Sequence, residues 1–212
     1  MEESLLKKYE ETKKSNISVS GGAGSGVELS VVVPDGVVSG GAGRSSATIS
    51  IKSESRKVVF DIGGVLVPVP SKGEDDGVEA FDITRFMPGM IDVLTNLSER
   101  GLNLFICSYS GDARIKKTKA DLGSVDKFTR LIDPANWHFV TDKKNRGVDK
   151  AKVCTELGAY IMVDDTLEIC KCVQKAGTPH VFWYTAEGTK PPKGIIKVSN
   201  WAELLEKIES II

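Results

Sequence analysis

Residues 57–67 read KVVFDIGGVLV. Three consecutive β-formers, Val58, Val59 and Phe60, run into a carboxylate, Asp61; after Ile62 come two glycines and a second apolar run. An uninterrupted apolar strand suits the middle of a parallel sheet, where both faces are covered. Gly63 and Gly64 then free the backbone to turn. A carboxylate at the point where a buried strand gives way to a loop marks a candidate binding residue, because open α/β sheets take ligands outside the carboxyl ends of their strands.

Similar runs recur toward the C-terminus, at LNLFICS (102–108), WHFVT (137–141), AYIMVD (159–164), HVFWY (180–184) and GIIKV (194–198). Helical patterns separate them, at 88–101, 112–123, 148–158, 165–177 and 200–212. The first of these opens with Pro88 and closes with Gly101, the usual asymmetry of helix ends, and Asn200 is a good N-cap for the last. Strand and helix alternating in this way predict a doubly wound α/β domain over residues 56–212, a three-layer sandwich around a mostly parallel, Rossmann-like sheet.

Residues 1–55 differ in composition. Residues 1–14 are a candidate short helix with Leu5, Leu6 and Tyr9 on one side, followed by a Gly/Ser/Val-rich, low-complexity linker in which SGGAG occurs at 20–24 and again at 39–43. GGAGRSS suggests a phosphate loop, but that loop needs Lys before its Ser/Thr, and Arg44 stands in that place. SVVVPDGVV (30–38) has the pattern of two short strands around a Pro-Asp-Gly turn, so a small hairpin is an alternative to plain linker. As an arm, the segment offers a tether to a protein partner.

Composition narrows the function classes. With Lys+Arg 28 against Asp+Glu 29 in 212 residues, the net charge of -1 supplies no basic field for nucleic acid or an anionic membrane. No apolar run approaches the 18 or so residues of a membrane span, and the acidic, charged start resembles neither a secretory signal nor a transit peptide. The four cysteines, Cys107, Cys154, Cys170 and Cys172, form no Cys-x-x-Cys pair and read as reduced thiols of a cytoplasmic protein. Two histidines, His138 and His180, supply little for zinc or for activating a nucleophile.

The strand ends deliver a coherent set. Asp61 ends the first strand, Ser108 the second, and Asp164 and Asp165 the fourth, while Lys150 lies on the helix before that fourth strand. Carboxylates suit Mg²⁺, which takes one or two acidic ligands together with substrate phosphate oxygens; a lysine and a hydroxyl suit the remaining phosphate oxygens. The plainer readings are that Asp61 belongs to a turn, that Asp165 caps a helix, and that Ser108 merely ends its strand. Ser110 and Lys152 compete with Ser108 and Lys150. Cys107, Trp137, Trp183 and Tyr184 read as core or rim.

In their order these motifs resemble the haloacid dehalogenase-like hydrolase superfamily. FDIGGVL resembles its first motif, LFICS its second, Lys150 its lysine motif, and IMVDD its acidic motif, with Glu168 a further candidate acid; the MPGM segment (87–90) is also similar. The resemblance covers residues 57 to 200. It implies Asp61 as nucleophile, Ser108, Lys150, Gly63 and Gly64 around the phosphate, and Mg²⁺ held by Asp61, the Gly63 carbonyl, Asp164 and Asp165. It also implies a phosphorylated substrate, small molecule or macromolecule, and a phosphatase working through an aspartyl-phosphate. The receiver domain is a rival with similar residue types, but there the acidic pair precedes the phosphoacceptor.

Gly63 departs from the family pattern, whose second Asp would stand there to protonate the leaving group. General acid–base help is typically worth about 10²–10⁴-fold. Its loss leaves three outcomes: substrates with good leaving groups, another acid such as Glu74, Asp75, Asp76 or Glu79 in the following loop, or a binding and regulatory module without turnover. The short segment 68–86 leaves no room for a large cap, so a capless site is expected. The whole reading requires the carboxylate of Asp61 to lie within a shared Mg²⁺ shell of Asp164 and Asp165.

Overall fold

The structure, a computed structural model, describes residues 56–68 and 86–212 with their side chains, and the backbone of three short strands before them. The chain divides into two units, Met1–Glu54 and Ser55–Ile212. In the first, β1 (Ile17–Ser20), β2 (Glu28–Val31) and β3 (Thr48–Ser50) form an antiparallel sheet in the order β1-β2-β3. Apolar and polar residues alternate in each strand, and the register keeps the alternation in phase, with Val19 opposite Leu29 and Leu29 opposite Ile49. This sheet stands within the segment read from sequence as linker. β2 takes only Ser30 and Val31 from the Val-rich run, and it pairs with 17–20 and 48–50. The candidate helix 1–14, the valines at 37–38 and the acids at 74, 75, 76 and 79 lie outside the described residues.

The second unit is built on six parallel strands: β4 (Lys57–Phe60), β5 (Asn103–Tyr109), β6 (Trp137–Val140), β7 (Ile161–Asp164), β8 (His180–Tyr184) and β9 (Ile195–Val198). Their order is β6-β5-β4-β7-β8-β9, and every neighbouring pair is parallel. The helices are α1 (Met90–Glu99), α2 (Asp112–Gly123), α3 (Asp126–Leu131), α4 (Arg146–Leu157), α5 (Leu167–Lys175) and α6 (Trp201–Glu209). The sheet is covered on both faces because successive strand residues point opposite ways. Val58 and Phe60 join a core with Leu94 and Leu97 of α1, Phe128 of α3 and Trp201, Leu204 and Ile208 of α6. Val59 joins the other core with Ala151 and Cys154 of α4 and Ile169, Cys170 and Val173 of α5. The architecture is the three-layer, doubly wound α/β sandwich expected from the sequence.

The sequence reading did not anticipate α3 or the 3₁₀ turn at Pro134–Asn136; both are shorter than two full helical turns, too short for periodicity to register. No helix among the described residues is long and apolar enough to cross a membrane.

This strand order creates one special crevice. The chain leaves β4 toward β5 on one side and leaves β7 toward β8 on the other, so the strand ends at β4 and β7 diverge into a topological switch point. The register pairs Phe60 with Val163, and the Asp61 N–H donates to the Val163 carbonyl at 3.0 Å. The residues that follow, Asp61 and Asp164, therefore emerge side by side although about a hundred residues separate them in the chain.

Candidate active site

Asp61, Asp164 and Asp165 each present a carboxylate oxygen within 4.8 Å of the others. Asp61 and Asp164 are buried and Asp165 is partly so. Lys150, fully buried in the first half of α4, reaches into the same space. Its Nζ lies 3.0 Å from Asp61 Oδ1 and donates to Asp164 Oδ2 at 2.8 Å. Asp61 Oδ1 also accepts the Ile62 N–H at 2.8 Å. Its other oxygen, Oδ2, accepts no hydrogen bond among the described residues. One oxygen of Asp61 is thus fixed, and the other is free of hydrogen bonds among the described residues.

Three carboxylates facing one ammonium leave an excess of negative charge in a largely dry space. The titration behaviour follows from that. Burial pushes the Asp164 carboxyl up to about 7, against the pull of Lys150. Burial, and then the charge on Asp61, push Asp165 up to about 6. For Lys150, burial works against the ammonium, but Asp61 and Asp164 outweigh it and hold the group above the ordinary lysine range. Such a donor set fits a divalent cation: hard oxygen ligands close enough to share one ion, with uncompensated charge that the ion would neutralise.

Gly64 explains the second glycine of the loop. Its φ is +77°, and a Cβ there would lie 2.2 Å from Asp165 Oδ2. Any side chain would need both an unfavourable backbone and the space that the carboxylate occupies. Gly63 sits between this position and Asp61, and it forms a backbone bridge with Val67 as the loop folds back.

Of the hydroxyls, Ser108 is buried near the end of β5 but makes no hydrogen bond to the three aspartates or to Lys150. Its competitor Ser110 is also buried, and its Oγ has no hydrogen-bond partner among the described residues. The competing lysine, Lys152, is exposed and lies 3.8 Å from Glu156. Glu168 is likewise outside the cluster, exposed and 2.7 Å from Lys171. Cys107 is buried, and burial pushes its thiol well up, as it does that of Cys154, to about 12; neither is a ready thiolate.

No family model and no curated protein sequence matches the chain. Solved structures do. A putative haloacid dehalogenase-like hydrolase from Burkholderia xenovorans LB400 superposes with a TM-score of 0.53 at 14% identity, covering 74% of this chain and 97% of its own. A putative beta-phosphoglucomutase from Thermotoga maritima gives 0.53 at 14% identity, covering 74% of this chain and 100% of its own. The chain has the haloacid dehalogenase-like fold. An uncharacterized protein from Listeria monocytogenes serotype 4b is similar to the same degree, with a TM-score of 0.55 at 16% identity over 73% of this chain and 97% of its own.

Within this haloacid dehalogenase-like fold two supporting residues escaped the sequence reading. Thr166, not singled out in the sequence reading, donates its N–H to Asp164 Oδ1 at 2.9 Å and its hydroxyl to Asp165 Oδ1 at 3.3 Å. Trp183, read as core or rim, donates Nε1–H to the Asp165 carbonyl at 2.9 Å. Thr166 also occupies the N-cap position of α5, the role considered for Asp165. A threonine directly after an acidic pair, at the start of a helix, was the available signal; the Trp183 bond comes from a neighbouring strand and has no local signature.

Proposed function

We propose that the chain is a Mg²⁺-dependent hydrolase of phosphate esters that works through an aspartyl-phosphate on Asp61. The convergence of Asp61, Asp164 and Asp165 within 4.8 Å carries this reading. Asp61, Asp164, Asp165 and the Gly63 carbonyl would hold the ion, which would neutralise charge on the phosphoryl oxygens and on the carboxylates around it.

The chain's own residues account for the rest. With Oδ1 held by Lys150 and the Ile62 N–H, Asp61 keeps Oδ2 for attack on phosphorus. The P–O ester bond breaks and its electron pair leaves with the departing oxygen. Ser108, Lys150 and the Gly63–Gly64 turn would receive phosphoryl oxygens, and the Ser110 hydroxyl, without a hydrogen-bond partner among the described residues, is a further candidate donor just past the end of β5. Water then attacks phosphorus, the bond to Asp61 breaks, and phosphate leaves with regeneration of the carboxylate and release of one proton. Gly63 provides no proton for the leaving group, so aryl and acyl phosphates are the preferred substrates and simple alkyl esters are poor ones. The short segment between β4 and α1 supports a capless site.

Gly63 also favours a second reading, a binding or regulatory module on the same fold that holds metal and phosphate without turnover. Assays of p-nitrophenyl phosphate with and without Mg²⁺ separate the two. The hydrolase reading expects activity that needs Mg²⁺ and disappears in Asp61→Asn. Wild-type protein inert toward aryl phosphate, acyl phosphate and haloacid would leave the binding module.

A further inference from the structure

Beside the carboxylate cluster a groove of about 350 Å³ opens between the loop after β6 and the first turns of α4 and α5. Lys143, Lys144 and Arg146 line it, together with Val148, which is large, apolar and yet 62% exposed. The carboxylate in the lining, Glu168, is already engaged by Lys171 at 2.7 Å. None of the three cations is in an ion pair among the described residues. Arg146 instead lies over the ring of Tyr109, 5.9 Å from its centroid, and Tyr109 is the chain neighbour of both Ser108 and Ser110. Thr166 lines the groove and also bonds Asp164 and Asp165. The groove and the carboxylate cluster therefore share a wall.

Three like charges close in sequence, unpaired among the described residues and lining one concave surface, form a local positive field next to a negative site. A ligand with one anionic end could not use both. We propose that the groove binds a second anionic group of the substrate. The substrate class is then an organic phosphate whose apolar body, packed on Val148, carries a carboxylate or a second phosphate away from the reacting phosphoryl group. Arg146 would offer that anion a two-pronged contact, with the lysines as point charges beside it. The inference rests on the hydrolase reading and names the substrate class for it.

The test compares phenyl phosphate with meta-carboxyphenyl phosphate and meta-phenylene bisphosphate, in the wild type and in the triple variant Lys143→Ala, Lys144→Ala, Arg146→Ala. The wild type is expected to favour the two doubly anionic substrates through KM, by about tenfold. In the triple variant that ratio should fall to about one, with Arg146→Lys retaining part of it. The ratio is its own control, since general damage to the fold lowers all three rates together. Equal KM values in the wild type, or a preference that survives the triple substitution, overturns the proposal.

Failure to turn over any of the three is a failure of the hydrolase reading instead. The groove is then judged by titrating isotope-labelled, Mg²⁺-loaded protein with meta-carboxyphenylphosphonate and with phenylphosphonate. Amide shifts at 146–148 that only the carboxylated probe produces, and that the triple variant lacks, support the groove. Identical responses to the two probes remove it.

Discussion

Two adjacent glycines in the loop after β4 answer to different constraints. Gly64 is held by geometry, with a left-handed φ and a carboxylate where its side chain would be. Gly64→Ala should cost about 1 to 3 kcal/mol of stability and displace Asp165. Calorimetric titration should then show markedly weaker Mg²⁺ binding than in the wild type. Gly63, in the proposed hydrolase, is a chemical constraint and not a geometric one. Gly63→Asp would place a proton donor two residues from the proposed nucleophile, and turnover of alkyl phosphates should rise toward the roughly 10²–10⁴-fold range of general acid–base help. Steady-state rates on an alkyl and an aryl phosphate, measured in parallel, check this: the gain should be large for the alkyl ester and small for the aryl one. The four charged residues were legible in the sequence because each stands at the end of a recognisable strand or, for Lys150, within a recognisable helix. Thr166 and Trp183 were not, because their bonds to the acidic pair are set by side-chain reach in the folded state.

At the scale of elements, the loop that carries Asp61 is braced from the far end of the chain. Trp201, in the first turn of α6, donates Nε1–H to the Val65 carbonyl at 3.1 Å, and its ring packs on Phe60 with centroids 5.5 Å apart. Trp201→Phe keeps most of the packing but strands a buried carbonyl, at a cost of about 1 to 3 kcal/mol, visible as a lowered denaturation midpoint. The strands themselves were readable to within a residue or two, since fully buried parallel strands are uninterrupted apolar runs. The strands of the first unit were harder to read, because three or four residues of alternation among glycines and serines look the same as linker. Phe128 of α3 is fully buried, but a six-residue helix shows too little of its period to be recognised.

At the scale of the whole molecule, the acidic cluster links stability to pH and, under the proposed Mg²⁺ binding, to metal. Asp164 and Asp165 hold their protons more tightly when folded, at about 7 and about 6, than an ordinary carboxyl does. The native state therefore binds more protons than the unfolded chain between roughly pH 4 and 7. Their contribution to stability is present at the acid end of that window and is lost as pH rises through the folded values. Metal-free protein should accordingly melt several degrees lower at pH 8 than Asp165→Asn does, with the gap closing toward pH 5. Added Mg²⁺ should raise the wild-type midpoint more at pH 8 than at pH 5, because the ion competes with protons for the same oxygens. Differential scanning calorimetry across this range reads both effects, and a Mg²⁺ response that does not vary with pH would contradict them.

Lys150 gives the pocket a resident, covalently attached counter-ion. In small domains built around a metal, chain and ion must come together at once, and chelation unravels them. Here an ammonium already ties the end of β4 to the end of β7. If the cluster takes up Mg²⁺ as proposed, a newly made chain would complete its sheet first and acquire the cation afterwards, so loading and stripping would be reversible events in a finished protein.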